Sequence, residues 1–243
     1  MGNFPNQPNP GFTVGFSGHR WNKITADAAP RIALQLSAVL AEVDDAVRRK
    51  FRIENAAGSR APMVRLICNL AEGADLMAVS SRPAGWPLHA ILPFSLARYE
   101  NDFAPAHATG GVDRRAEFRA ALAQAESIVE LPDVNDAVQG YERAGQCMLE
   151  QSSLLVAVWD GQPAAGRGGT QAVISQAVAA AIPVIWIHSD REQAPVLLLS
   201  AVPSAQELDA QPADPGMIDR TVSMIVRASR ARCPSSTIEP EES

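Results

Sequence analysis

Three short glycine-containing turns carry the residues of this sequence that can bind an anion. Glycine lets a backbone approach a ligand without a Cβ in the way. A helix that starts beside such a turn adds free amides and the positive end of its dipole, a combination typical of phosphate-binding sites. The turns are Ser17-Gly18-His19-Arg20, Glu72-Gly73-Ala74-Asp75 and Gly166-Arg167-Gly168-Gly169-Thr170.

Side chains of these turns can add to the backbone. Arg20 and Arg167 can donate charge-assisted hydrogen bonds, and Thr170 can cap a helix or donate to a phosphate. We expect amides from separate turns to gather around one negatively charged group. The predicted ligand-binding residues are Ser17, Gly18, His19, Arg20, Glu72, Gly73, Asp75, Asp160, Arg167, Gly168, Gly169 and Thr170.

Each turn also has a plainer interpretation. A Gly-Gly-Thr sequence before a helix is most often a tight turn with a cap. Glu72 and Asp75 can be acids that the helix dipole favours in a first turn, and His19 and Arg20 can be ordinary turn and surface residues. The functional interpretation therefore depends on the three turns meeting at one edge of a sheet.

Hydrophobic patterning places each turn directly after a strand. Continuous apolar runs predict buried strands, and segments with helical spacing lie between them. This alternation predicts an α/β fold, a three-layer Rossmann-like domain whose mainly parallel sheet has helices on both faces. Parallel sheets bind ligands at the carboxyl ends of their strands, where all three turns fall. The predicted strands are Phe12–Phe16, Met63–Leu70, Leu88–Leu92, Ser127–Leu131, Leu154–Trp159 and Pro183–Ile187.

Length and composition indicate one domain. The chain has 243 residues, of which 47% are hydrophobic and 20% charged, with a formal net charge of −6. We expect a flexible arm over residues 1–10, a single domain over residues 11–232 and a disordered tail over residues 233–243. The stretch 195–215 is interpreted as a connector. Acidic charge disfavours broad nucleic-acid binding, no apolar run approaches the roughly 18 residues of a membrane helix, and three widely spaced cysteines indicate a reducing cytoplasm.

The order of these motifs resembles the SLOG superfamily. The resemblance lies in a strand followed by Gly18-His19-Arg20, a strand followed by Glu72-Gly73-Ala74-Asp75, and a strand followed by Gly166–Thr170, and it covers about Phe12 to His188. This Rossmann-like group includes cytokinin-activating LOG enzymes, the DNA-processing protein DprA and nucleotide-sensing domains of bacterial defence systems. The resemblance implies a nucleotide-like ligand whose phosphate lies beside Gly168, Gly169 and Thr170.

Two departures from the LOG pattern favour binding over catalysis. LOG enzymes release a base from a nucleoside monophosphate, and they carry glutamates two and three positions after the threonine, where this chain has Ala172 and Val173. Their Arg-Lys pair on the preceding helix corresponds to Ala144 and Gly145. We therefore expect a binding or sensing protein, with no cofactor or metal, that acts through a homo-oligomer or a separate effector protein. If the protein is a nucleotide N-glycosidase instead, Glu72 and Asp75 are the candidate catalytic residues.

Two further interpretations stay open. A DprA-like protein binds single-stranded DNA, which calls for a basic, aromatic-lined groove, whereas only 5% of this chain is aromatic. The segment 98–119 can be a mobile lid, since it contains Gly110 and Gly111 and brings arginines that can close over an anion. It can equally be a solvated helix. The arginines concerned are Arg114, Arg115 and Arg119.

Overall fold

Eight strands within the described part of the chain form one sheet. The computed structural model describes residues 11–54, 64–163, 169–198 and 210–231. The strands are β1 (Phe12–Gly18), β2 (Val64–Cys68), β3 (Leu88–Leu92), β4 (Ala125–Glu130), β5 (Leu154–Trp159), β6 (Val184–His188), β7 (Val196–Leu198) and β8 (Ala210–Pro212). Their order across the sheet is β4-β3-β2-β1-β5-β6-β7-β8.

The first six strands pair in parallel, and β7 and β8 add an antiparallel edge. The helices are α1 (Ala28–Glu54), α2 (Ala74–Ser81), α3 (Leu96–Tyr99), α4 (Arg115–Leu122), α5 (Ala137–Glu150), α6 (Thr170–Ala179) and α7 (Pro215–Ala231). Helices α1 to α6 lie between the parallel strands along the chain, and α7 follows β8. Single 3-10 turns lie at Trp21–Lys23, Glu100–Phe103 and Thr109–Gly111.

The sheet is covered on both faces because its central strands are apolar on both sides. All six residues of β5 are buried. Leu154, Val156 and Val158 pack into the core that includes α1, α2, α4 and α7. Leu155 and Trp159 pack into a second core with α5 and α6. The predicted three-layer α/β fold with a mainly parallel sheet is confirmed.

Two element predictions need correction. The stretch 195–215, predicted to be a connector, contains β7 and β8. Strands of three residues are too short to show a periodic pattern of apolar side chains. Helical spacing predicts a helix over 141–151, whereas α5 begins at Ala137, where the Asp136 side chain accepts from the Val138 amide at 2.9 Å. Gly140 makes this start hard to predict, because glycine is unfavourable within a helix. The structure explains why a glycine is present, since a Cβ there would lie 2.1 Å from the Phe94 ring.

No helix among the described residues is both long enough and apolar enough to cross a membrane. The arm predicted at 1–10, a loop predicted at 56–61 and the tail predicted at 233–243 lie outside the described residues.

Candidate functional site

A cavity opens at the carboxyl edge of the sheet, where the strand order reverses between β1 and β5. The chain leaves β1 towards β2 on one side and later returns to β5 on the other. Crevices at such switch points are the usual ligand sites of open parallel sheets. The cavity volume is about 450 Å³, within the range of about 300–1,000 Å³ found for small-molecule sites. Its lining includes Ser17, Gly18, His19, Arg20, Asp75, Asp160, Gly169 and Thr170 from the predicted set.

Gly18 ends β1 and lets it lie close to α2. A Cβ at this position would come within 2.4 Å of the Ala74 Cβ and 3.2 Å of the Val158 Cβ. The Gly18 amide donates to Asp75 Oδ1 at 3.2 Å, and the His19 amide donates to the Val158 carbonyl at 3.0 Å. These amides therefore have partners within the protein. The expectation that amides of all three turns face one anion does not hold for this turn.

Asp75 fastens two of the turns together. Its carboxylate accepts from the Gly18 amide at the end of β1, at 3.2 Å, and from the Ala71 amide in the loop after β2, at 3.1 Å. The side chain is buried and still lines the cavity. Burial raises the pKa of Asp75 from 3.8 to about 7, although both amides and Arg20 act in the opposite direction. Asp75 is thus a carboxyl group that titrates near neutrality at the cavity wall.

Asp160 is the second cavity carboxylate, and it behaves in the opposite way. Burial alone would raise the pKa of Asp160. Hydrogen bonds from Lys23 and His19 to the ionised form outweigh burial and lower this pKa well below its ordinary value. Lys23 Nζ lies 2.9 Å from Oδ2, and His19 Nε2 lies 3.0 Å from Oδ1. The Gln162 amide also donates to Oδ1, at 3.0 Å. Asp160 therefore stays ionised and fixes the β1 loop against β5.

The start of α6 forms one end of the cavity. Gly169 has φ +85 and ψ 175, a conformation that only glycine adopts without strain. Thr170, the first helical residue, is buried, and it lines the cavity together with Gln171. The first amides of an α-helix have no acceptor within the helix, so this end is suited to an anion. The other predicted residues of the turn, Gly166, Arg167 and Gly168, lie outside the described residues.

Arg20 supplies positive charge at the side of β2 and β3. Its guanidinium lies 3.6 Å from Asp102 Oδ2 and 5.4 Å from the centre of the Tyr141 ring. The Tyr141 hydroxyl donates to the same Asp102 carboxylate. Arg20 is therefore held by an acid and an aromatic face.

Glu72 and Gly73 do not line the cavity, in contrast to the sequence interpretation. The Glu72 carboxylate accepts from the Thr109 amide at 3.1 Å and from the Thr109 hydroxyl, and it lies 3.5 Å from Arg114 Nε. Gly73 has φ +91, and a Cβ there would lie 2.7 Å from the His19 carbonyl oxygen. Glu72 precedes α2, whereas Asp75 lies in its first turn. The two acids of this motif therefore reach different places, Glu72 the Thr109 turn and Asp75 the cavity.

Three arginines of the segment 98–119 pair with acids of that segment and with Glu72. Arg114 pairs with Glu72 and Glu117, and it lies 5.3 Å from the centre of the Trp21 ring. Arg115 and Arg119 pair with Asp113 and Glu100 respectively. None of the three arginines lines the cavity.

Several cavity residues were not predicted from the sequence. Lys23 lies in the 3-10 turn after β1, Asn69 follows β2, and Trp159 ends β5. Tyr99 and Tyr141 come from α3 and α5. A polar residue after a strand is a usable signal for Lys23 and Asn69. The two tyrosines belong to no local motif, and they meet at the cavity through tertiary structure, with ring centroids 6.4 Å apart.

No protein-family model matches the chain, and no curated protein matches it either.

Proposed function

We propose that the protein binds a nucleotide-like ligand, with its phosphate at the start of α6. The observation that carries this proposal is the cavity at the switch point between β1 and β5, bounded at one end by Gly169 and Thr170. Helix starts of this kind bind phosphate through amides and dipole without a surplus of basic side chains. The resemblance to the SLOG superfamily supports the same class of ligand.

The rest of the cavity suits the nucleoside part of such a ligand. Val138, Tyr141 and Trp159 provide apolar and aromatic lining, on which a planar base can pack. Arg20 and Lys23 each face an acid, at 3.6 Å and 2.9 Å. These charges are therefore balanced within the protein, which favours a ligand with one phosphate held mainly by backbone amides.

Isothermal titration calorimetry with AMP, GMP, CMP and UMP in phosphate-free buffer tests the proposal. Two variants of one residue form a matched pair. Gly169→Ala and Gly169→Asp share the backbone strain, and among the described residues no atom beyond the chain neighbours lies within 4 Å of a Cβ at this position. Only the aspartate adds a negative charge beside the phosphate, which costs about 1 to 3 kcal/mol, or roughly 5- to 150-fold in affinity. Equal affinities of the two variants, or no binding to wild-type protein, would contradict the proposal.

A second candidate function is cleavage of a nucleotide N-glycosidic bond. The observation that favours it is the pair of cavity carboxyls with separated pKa values, Asp75 raised to about 7 and Asp160 lowered. Such a pair can supply a proton donor and a carboxylate that stabilises an oxocarbenium-like state. However, internal donors already engage both groups, and Ala144, Gly145 and Val173 line the wall between α5 and α6 without charge.

Incubation with each nucleoside monophosphate, followed by chromatography for released base, separates the two functions. Binding alone predicts ligand recovered intact. Base release that disappears in both Asp75→Asn and Asp160→Asn would establish the glycosidase instead.

A further inference from the structure

Tyr99 is a buried residue whose hydroxyl lacks a partner. Its ring lies at the centre of an aromatic cluster, with ring centroids 5.4 Å from Phe103 and 5.6 Å from Phe118. The side chain is fully buried, and the hydroxyl has no hydrogen-bond partner among the described residues. Tyr99 nevertheless lines the cavity. Buried hydroxyls are normally hydrogen-bonded, so this one is explained by a group that enters the cavity.

The charges around the Tyr99 hydroxyl indicate what kind of group this is. The hydroxyl interacts electrostatically with Arg20, Asp75 and Asp102. Arg20 is paired with Asp102, and Asp75 adds a further acid. Burial raises the pKa of Tyr99 well above its ordinary value, so the hydroxyl keeps its proton and can donate. Without surplus positive charge, a second phosphate is disfavoured here and an uncharged acceptor or donor is favoured.

The topology places Tyr99 away from the phosphate end. Tyr99 belongs to α3, which follows β3, whereas α6 follows β5. Three strand spacings separate β3 from β5 in the order β3-β2-β1-β5. At about 4.8 Å per spacing this is roughly 14 Å. Tyr99 lines the same cavity as Gly169 and Thr170, so a ligand with its phosphate at α6 meets Tyr99 with a part that lies away from the phosphate.

We propose that the Tyr99 hydroxyl binds an uncharged oxygen or nitrogen of the ligand, and that the cavity thereby selects nucleoside monophosphates over ligands with a second phosphate. This inference rests on the proposed function, in which α6 holds the single phosphate. Tyr99 is then a specificity-determining residue, and its unpaired hydroxyl destabilises the unliganded protein.

The test compares Tyr99→Phe with Ser189→Ala. Ser189 also has a fully buried hydroxyl without a partner among the described residues, but it does not line the cavity. Removing either hydroxyl should raise the Tm of the unliganded protein by a few degrees, about 2–4 °C, since a buried unpaired group is lost. Only Tyr99→Phe should weaken binding of the best nucleoside monophosphate, by roughly 3- to 10-fold.

Calorimetry with inorganic phosphate, ribose 5-phosphate and the matching nucleoside mono- and diphosphates locates the contact. Tyr99→Phe should leave the affinity for inorganic phosphate unchanged. A loss shared by ribose 5-phosphate assigns the contact to the ribose, and a loss confined to the nucleotide assigns it to the base. If wild-type protein binds none of these probes, both this inference and the proposed function fail. If it binds them and Tyr99→Phe binds equally well, or if the diphosphate binds more tightly than the monophosphate, this inference alone fails.

Discussion

Asp75 should make the protein less stable as the pH rises from 5 to 7. Its pKa is about 7 in the folded chain and has its ordinary value of 3.8 in the unfolded chain. The folded state therefore binds more protons across this window, so the contribution to stability is complete below about pH 4 and is lost as the pH rises through the folded-state value. At 1.36 kcal/mol per pKa unit the shift is worth about 4 kcal/mol, of which roughly 2–3 kcal/mol falls between pH 5 and 7.

Urea unfolding of wild-type protein and Asp75→Asn at pH 5, 6, 7 and 8 measures this effect. The asparagine does not titrate, and it can accept from only one of the two amides that Asp75 binds, those of Gly18 and Ala71. We expect Asp75→Asn to be less stable than wild type at pH 5. The difference should shrink by roughly 2–3 kcal/mol by pH 8.

Subtraction of the two curves provides the control. Burial lowers the pKa values of His89 and His188. The contribution of these two histidines to stability therefore rises with pH. These histidines are present in both proteins and cancel in the difference. A difference in unfolding free energy that stays constant from pH 5 to 8 would refute the assignment of Asp75.

Two further predictions concern residues near the cavity. Gly73→Ala should lower the unfolding free energy by roughly 2 kcal/mol more than Gly85→Ala does. Both positions have positive φ, but only at Gly73 would a Cβ meet the His19 carbonyl oxygen, at 2.7 Å. Equal losses of unfolding free energy in urea would contradict this close packing. Glu72→Gln should lower the unfolding free energy by about 1–3 kcal/mol, because its hydrogen bonds to Thr109 are weakened. The affinity for AMP in calorimetry should stay unchanged. A large loss of affinity would return Glu72 to the binding site.

The fold could be predicted because its signals are local. The run Leu154–Trp159 is apolar throughout, and the structure buries all of it as β5. Helical spacing from Ala28 marks α1, which extends to Glu54. The antiparallel strands β7 and β8 could not be predicted, since three residues carry no period and their pairing depends on β6.

The candidate site could be predicted only in part. A turn after a parallel strand identifies His19, Asp160 and Thr170 as residues of the carboxyl edge, and all three line the cavity. Motif spacing does not show that Asp75 accepts the hydrogen bond of the Gly18 amide, because this bond joins residues 57 positions apart. It also does not show that Tyr99 reaches the cavity from the short helix α3. Both contacts arise from tertiary packing.

The start of α6 is the most direct place to test the central claim. NMR spectra of ¹⁵N-labelled protein during an AMP titration report the amides of Gly169 and Thr170, with Gly85 as the reference, since it precedes β3 at the opposite edge of the sheet. We predict saturable shifts of Gly169 and Thr170 with one common Kd, while Gly85 stays fixed. Saturable binding that leaves both α6 amides unmoved would contradict the account.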